Sequence, residues 1–340
     1  MENGQIKRME YVDVAKGIGI VSMLVGHHIQ GAELLVKWIY SFHMPLFFLL
    51  TGYLYETRKR RAEVGAALFR KQAERLLYPY LTFSVLMLLW KFVFHVVCGV
   101  PYTNGEDPFG VMVLNALTTN GIHALWFLPA MFWASTAYLI LSSREHPVWL
   151  LPVLSILAAI ILSKLTHLPV IHESAFFRPV NYAARAVLGL SFICLGACYA
   201  KRDLSGVRLM LIALLASVLF GLLNEDVSMF GSYIGNPVYY YLAALGGCVF
   251  ILCLSKRISG FARLMSFLGK NSLIVMATDL SFPDEIAWMI LGVTRINRIL
   301  PPIAVSCVMI LVQIVLVAML ICFIQRFAKW MIKVPKRSVC

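Results

Sequence analysis

Charge is what this sequence has least of. Asp, Glu, Lys and Arg supply only 14% of its 340 residues, where soluble domains carry about a quarter. Acidic residues are the scarcer sign, 17 against 30 basic. So few charges cannot coat a water-soluble surface. With 60% hydrophobic residues and a mean hydropathy of +0.79, an ordinary soluble fold is excluded. Internal repeats and low-complexity linkers are also missing, so one domain is expected over residues 1–340. The eight cysteines are scattered. Cys194 and Cys198 share a helix face, but no His or acidic residue joins them at ligand spacing, so they read as small packing residues and no metal is expected. The first apolar run has no small-residue cleavage site and is expected to be retained.

What the chain does have is long apolar runs. They predict an all-α fold, a polytopic membrane helical bundle of about ten transmembrane helices. The expected spans are 11–30, 37–55, 77–97, 122–142, 148–165, 181–199, 208–223, 237–255, 264–282 and 302–324. An even number puts both termini on one side. With that side cytoplasmic, residues 1–10 and the basic tail 325–340 face inward, and 21 of the 30 Lys and Arg lie on the inner side. That distribution satisfies the positive-inside rule, so the net charge of +13 reads as membrane topology and no nucleic-acid partner is expected. The location predicted is the cell (cytoplasmic) membrane.

Two connections exceed simple turns. Residues 56–76 are rich in Arg and Lys and predicted cytoplasmic; residues 99–121 are predicted external. Further external loops at 166–179, 224–237 and 283–302 carry polar and aromatic groups suited to a carbohydrate.

Ionisable groups inside a span are costly and mark sites or pathways. The first span holds Asp13, Lys16 and His27. Eleven residues are three helical turns, so Lys16 and His27 lie within about 20° of one face, and Asp13 falls near it. Asp13 and Lys16 can pair as i, i+3 neighbours; a pair snorkelling to the interface is the plainer alternative. His27 and His28 lie towards the outer end of this span. His43 opens the second span in Ser41-Phe-His-Met-Pro-Leu-Phe-Phe48. A short loop makes the two spans an antiparallel hairpin, which can bring the histidines together. An imidazole there can act as a general base on a sugar hydroxyl; hydrogen bonding to a neighbouring helix is the structural alternative. The cationic segment 56–75 can anchor to anionic lipid headgroups or bind a phosphorylated donor.

Several segments resemble acyltransferase family 3, the multispanning membrane O-acyltransferases, and within it the fucose O-acetylase-like branch. Tyr11-Val-Asp-Val-Ala-Lys-Gly-Ile-Gly-Ile20 followed by Gly26-His27 is similar to the family's opening motif. Phe42-His-Met-Pro-Leu-Phe-Phe-Leu-Leu-Thr-Gly-Tyr53 is similar to its second signature. Arg75-Leu-Leu-Tyr-Pro-Tyr80, Leu125-Trp-Phe-Leu-Pro-Ala130 and Leu268-Gly-Lys-Asn-Ser-Leu273 resemble later ones. The resemblance runs over roughly residues 8 to 280.

It implies acyl transfer, chiefly O-acetylation, from a cytoplasmic acyl-CoA donor such as acetyl-CoA to a hydroxyl of a cell-surface glycan or lipid-linked sugar. It implies His27 as the catalytic histidine with Lys16 and Asp13 as its supporting pair. His43, Trp126, Asn271 and Asp279 are the expected acceptor-side residues, and Arg75, Lys71 and Arg70 the donor-side ones. Expected partners are the donor, the glycan acceptor and membrane lipids, with a homodimer left open. Two departures from the family stand out. Gln72 occupies the first position of the family's Arg-x-x-Arg, three residues before Arg75. Thr278-Asp279 stands where the late span often has a histidine, which leaves a substitute polar contact, an altered acceptor site or lost activity as readings. A transporter or exporter, and a non-catalytic scaffold or sensor, are the rival classes.

Overall fold

A bilayer offers the backbone no hydrogen-bond partners, so an apolar run there must satisfy itself as a helix. The computed structural model describes residues 9–58, 65–97, 99–100, 107–143, 147–202, 204–258, 262–295 and 299–334. Among them the regular elements are helical, apart from one isolated antiparallel bridge between Ser228 and Tyr233. The basic residues at 7, 8, 59–61, 144, 298, 336 and 337, and the loop 101–106, fall outside the described residues.

The principal helices in chain order are α1 (Glu10–His28), α2 (Glu33–Thr57), α3 (Ala66–Val97), α4 (Phe109–Leu117), α5 (His123–Leu141), α6 (Leu150–Thr166) and α7 (Phe177–Arg202). They continue as α8 (Val207–Leu223), α9 (Pro237–Ser255), α10 (Ala262–Lys270), α11 (Ser272–Thr278), α12 (Phe282–Thr294) and α13 (Pro302–Phe327). Among the described residues, six are long and apolar enough to cross a membrane: α2, α3, α5, α7, α9 and α13. Helices α6 and α8 are apolar but shorter. Helix α1 has 19 residues, and its Asp, Lys and two His lower its hydropathy.

The expected span 264–282 is not one helix. It breaks at Asn271, whose side-chain amide donates to the Phe267 carbonyl (2.8 Å) and whose backbone N–H donates to Leu268 (3.1 Å). Such local bonding by Asn competes with helix continuation. A second break follows at Leu280, which takes φ 54 before the chain starts α12.

Many large apolar side chains are exposed and run in stripes: Leu81, Val85 and Leu89 on α3, Leu311, Val315, Met319 and Phe323 on α13, Leu211, Leu215 and Leu219 on α8. Spacing by four puts each stripe on one helix face. In water such surfaces would aggregate; against lipid they are the correct surface, and the polar side chains Ser135, Thr136, Ser191 and Ser217 lie inside instead.

Two compact units are distinguishable. The first comprises residues 1–62 and 137–272, the second residues 63–136 and 273–340. In the first, helices meet backbone to backbone at glycines. A Cβ on Gly52 of α2 would lie 1.8 Å from the Ile193 carbonyl oxygen of α7, and one on Gly17 of α1 would lie 2.0 Å from that of Met265 in α10. In the second, Ala287 and Leu291 of α12 pack with Val305 and Met309 of α13. Buried Lys91 of α3 pairs with Glu285 of α12, which also accepts from Trp90 Nε1 (2.5 Å).

Candidate active site

Helix α1 stops at His28 and the chain turns at Gly31, φ 76, so α2 folds back alongside it. Gly26 sets how close the two come. A Cβ there would press on Tyr40 Cε2 at 3.1 Å and Ile39 Cγ2 at 3.2 Å. Without one, the next residue, His27, reaches the α2 side chains. Its ring lies edge to face with His43, centroids 6.4 Å apart, and 6.1 Å from the Tyr40 ring. Tyr40 in turn is 5.1 Å from His43. The three rings form one triangle, with His43 buried and His27 and Tyr40 half-buried. His28 is buried behind it, its ring 6.4 Å from His27.

The protonation pattern follows from the acceptors. His43 Nδ1 lies 2.9 Å from the Ile39 carbonyl. A carbonyl only accepts, so Nδ1 carries the proton. His27 sits in the last turn of α1, where unsatisfied carbonyls favour positive charge.

Above the triangle lies a cavity of about 540 Å³ that shares Tyr40 with it and is also lined by Gln30, Glu33, Lys37 and Asp226. This is within the roughly 300–1,000 Å³ of small-molecule clefts. Its far wall is the loop after α8, which is stapled down. Arg185 of α7 donates from Nε to the Phe230 carbonyl (2.5 Å), and its guanidinium lies 4.1 Å over the Phe230 ring. Ser232 donates to Asn181 Oδ1 (2.6 Å), and Ser163 donates to the Ser232 carbonyl (2.7 Å). A second cavity, about 190 Å³, lies at the other end of the unit against Glu56, Tyr138, Cys194, Cys198 and Lys201. There Lys201 is 3.9 Å from Glu56 and Lys256 lies over the Tyr11 ring at 5.5 Å.

The sequence-derived candidates thus fall into groups. His27 and His43 come together. Asp13, buried, and Lys16, half-buried, lie towards the opposite end of α1. At 1.5 Å per residue they are roughly 21 and 16 Å along the axis from His27, beyond side-chain contact with it. Asn271 is buried just after α10, the helix whose Gly269 presses on the Asp13 carbonyl. Trp126, Asp279, Arg70, Lys71 and Arg75 belong to the second unit. There Trp126 is buried, and Asp279 is fully buried with its Oδ1 accepting from Gln313 Nε2 (3.1 Å). Arg75 and Lys71 are exposed, and Arg70 pairs with Glu74 at 2.9 Å. Gln72, in the first position of the Arg-x-x-Arg pattern, is buried, which suits an amide better than a guanidinium.

Residues 9–324 match the model of acyltransferase family 3, described as an acyltransferase domain. The chain belongs to acyltransferase family 3. Neither a curated protein nor a solved structure matches it. Family membership and the apolar helices together make it a multi-pass membrane protein with acyltransferase character. For this family member, sequence reasoning reached both histidines of the triangle but missed Tyr40, Gln30, Glu33 and Lys37. The signal was there: Glu33, Lys37 and Tyr40 recur at helical spacing on the face that carries His43 one turn later.

Proposed function

We propose that the protein is an O-acyltransferase, in the first instance an O-acetyltransferase, moving an acyl group from a cytoplasmic acyl-CoA donor to a sugar hydroxyl. The acceptor is a cell-surface glycan or its lipid-linked precursor, and the membrane is the cytoplasmic membrane. Within the family, the fucose O-acetylase-like branch is the nearest in motif. The end of the first unit that carries Lys201, Arg202, Lys256 and Arg257 faces the cytoplasm, in keeping with the positive-inside rule. The histidine end then faces outward.

The chemistry needs one base. A sugar hydroxyl is a weak nucleophile, and His27 removes its proton as the oxygen attacks the thioester carbonyl. The carbon–sulfur bond breaks, the ester forms, and the coenzyme thiolate leaves with the proton held by His27. His43 holds its ring beside the imidazolium. Asp13 and Lys16 support the site from the donor end of the same helix. On motif grounds Arg75, Lys71 and Arg70 are assigned to the donor phosphates and Trp126 and Asp279 to the acceptor, whereas Asn271, two residues after the Gly269 that meets Asp13, belongs with the donor end.

One observation carries this reading: Tyr40, which packs against both His27 and His43, also lines a cavity of about 540 Å³ that holds Glu33, Lys37 and Asp226. The test is purified protein in nanodiscs with radiolabelled acetyl-CoA and the host glycan fraction. Label transfer is expected for the wild type, and His27→Ala is expected to lower it by about 100-fold or more. An unchanged rate in the folded variant would overturn the assignment of the base.

A further inference from the structure

The cavity above the triangle contains three charged side chains, Glu33, Lys37 and Asp226. None of the three makes an ion pair or a side-chain hydrogen bond with another described residue. Glu33 and Lys37 are one helical turn apart on α2, with the carboxylate on the N-terminal side, the orientation in which such neighbours offset each other's field. Asp226 comes from the facing loop, almost 190 residues further along the chain. Glu33 and Asp226 are solvent-exposed, and the loop backbone that carries Asp226 is held in place: Val227, the next residue, is buried, and Arg185 and Asn181 hold the segment beyond it. The lining therefore carries two carboxylates and one ammonium, a net charge of −1 that no ion pair among the described residues offsets.

We propose, building on the acyltransferase reading above, that this cavity selects its acceptor by charge. It takes a sugar unit without an anionic substituent, a neutral or amino hexose, and rejects a uronic or otherwise acidic sugar. The physical basis is twofold. Carboxylates are acceptors only, and two of them facing a cavity match the hydroxyl and ammonium donors of a neutral or amino sugar. An acidic sugar brings a third carboxylate into the same space, and like charges brought together without compensation disfavour the wrong partner. Lys37 does not reverse this, because Glu33 stands beside it. Tyr40 supplies an aromatic face at the cavity floor, where the acceptor's apolar C–H face packs while its hydroxyl reaches His27.

Three matched acceptors test the idea: the linear trimers of galactose, galactosamine and galacturonic acid. The second and third each differ from the first in one substituent per ring. Binding is measured on the His27→Ala protein in nanodiscs by saturation-transfer NMR, so that selection is read without turnover. Transfer is measured on the wild type with radiolabelled acetyl-CoA. The galacturonate trimer is expected to bind and react roughly fivefold less well than the other two, the upper size of a contact between solvent-exposed charges. The double variant Glu33→Gln/Asp226→Asn is expected to close that gap to within about twofold. Equal or better use of galacturonate by the wild type, or a gap that the double variant leaves in place, would overturn charge selection while leaving acyl transfer standing. Charge-dependent binding with no label transferred to any trimer would support the selection and sink the acyltransferase reading. Failure of all three trimers to bind would overturn the assignment of the cavity to a sugar.

Discussion

Gly269 lies directly against the carbonyl oxygen of Asp13: a Cβ at residue 269 would sit 1.8 Å from it. This contact joins the two segments that bear the family's first and last motifs, and it explains why both carry glycine. Gly269→Ala cannot be absorbed by a flexible side chain, because the obstacle is backbone. We expect a loss of at least about 1–3 kcal/mol, the usual cost of overpacking, read as earlier thermal unfolding in detergent. An alanine variant as stable as the wild type would show that α1 and α10 do not pack this closely.

Arg185 holds the cavity's loop wall through the Phe230 carbonyl and ring. Arg185→Leu keeps the apolar bulk and removes both contacts. A hydrogen bond from a charged group is worth about 1.5–3 kcal/mol, so the loop should loosen. The expected result is a several-fold rise in acceptor KM with donor KM unchanged. A change in donor KM alone would place the loop's influence elsewhere.

The buried Lys91–Glu285 pair, with Trp90 on the same carboxylate, ties α3 to α12. Removing one partner leaves a buried charge exposed to no compensation, which costs about 3–5 kcal/mol. Lys91→Met should therefore be markedly less stable than the double variant Lys91→Met/Glu285→Gln. Thermal melts of the three proteins side by side decide this; equal melting of single and double variants would count against a buried pair.

Asp279 accepts a hydrogen bond from Gln313 in the middle of α13. Gln313→Leu strips that donor from a fully buried carboxyl and should cost about 1–3 kcal/mol. Asp279→Asn keeps an oxygen that accepts and should cost less. The order of the two melting temperatures is the check, and a reversed order would mean that the carboxylate is held by other groups.

The histidine pair shows what was readable in advance. His27 and His43 lie on consecutive apolar segments joined by a few residues, and a short link between two helices leaves little choice but an antiparallel hairpin. Their meeting was therefore legible. The expectation that Asp13 and Lys16 share a face with His27 was also legible from periodicity, but a shared face does not bring side chains into contact. The rise of the helix separates them, and a helical projection hides that distance.

The ninth expected span was misread for a different reason. Hydropathy sums residues without regard to where Asn271 sends its amide or which backbone conformation Leu280 takes, so a broken element scored as a continuous one. The break is set by local hydrogen bonding and the left-handed turn at Leu280, to which an average over a window is blind.

By itself the sequence determined the environment and the class: scarce charge and long apolar runs force membrane helices, because no other backbone arrangement of such segments is satisfied in lipid. It also marked the candidate residues His27 and His43, through ionisable groups in segments where they are costly. The tertiary structure alone decided the cavity. Its walls come from the start of α2 and from a loop almost two hundred residues later, and no local pattern links them. What brings them together is close helix packing at glycines and the hold of Arg185 on its loop, interactions that exist only once the helices are assembled.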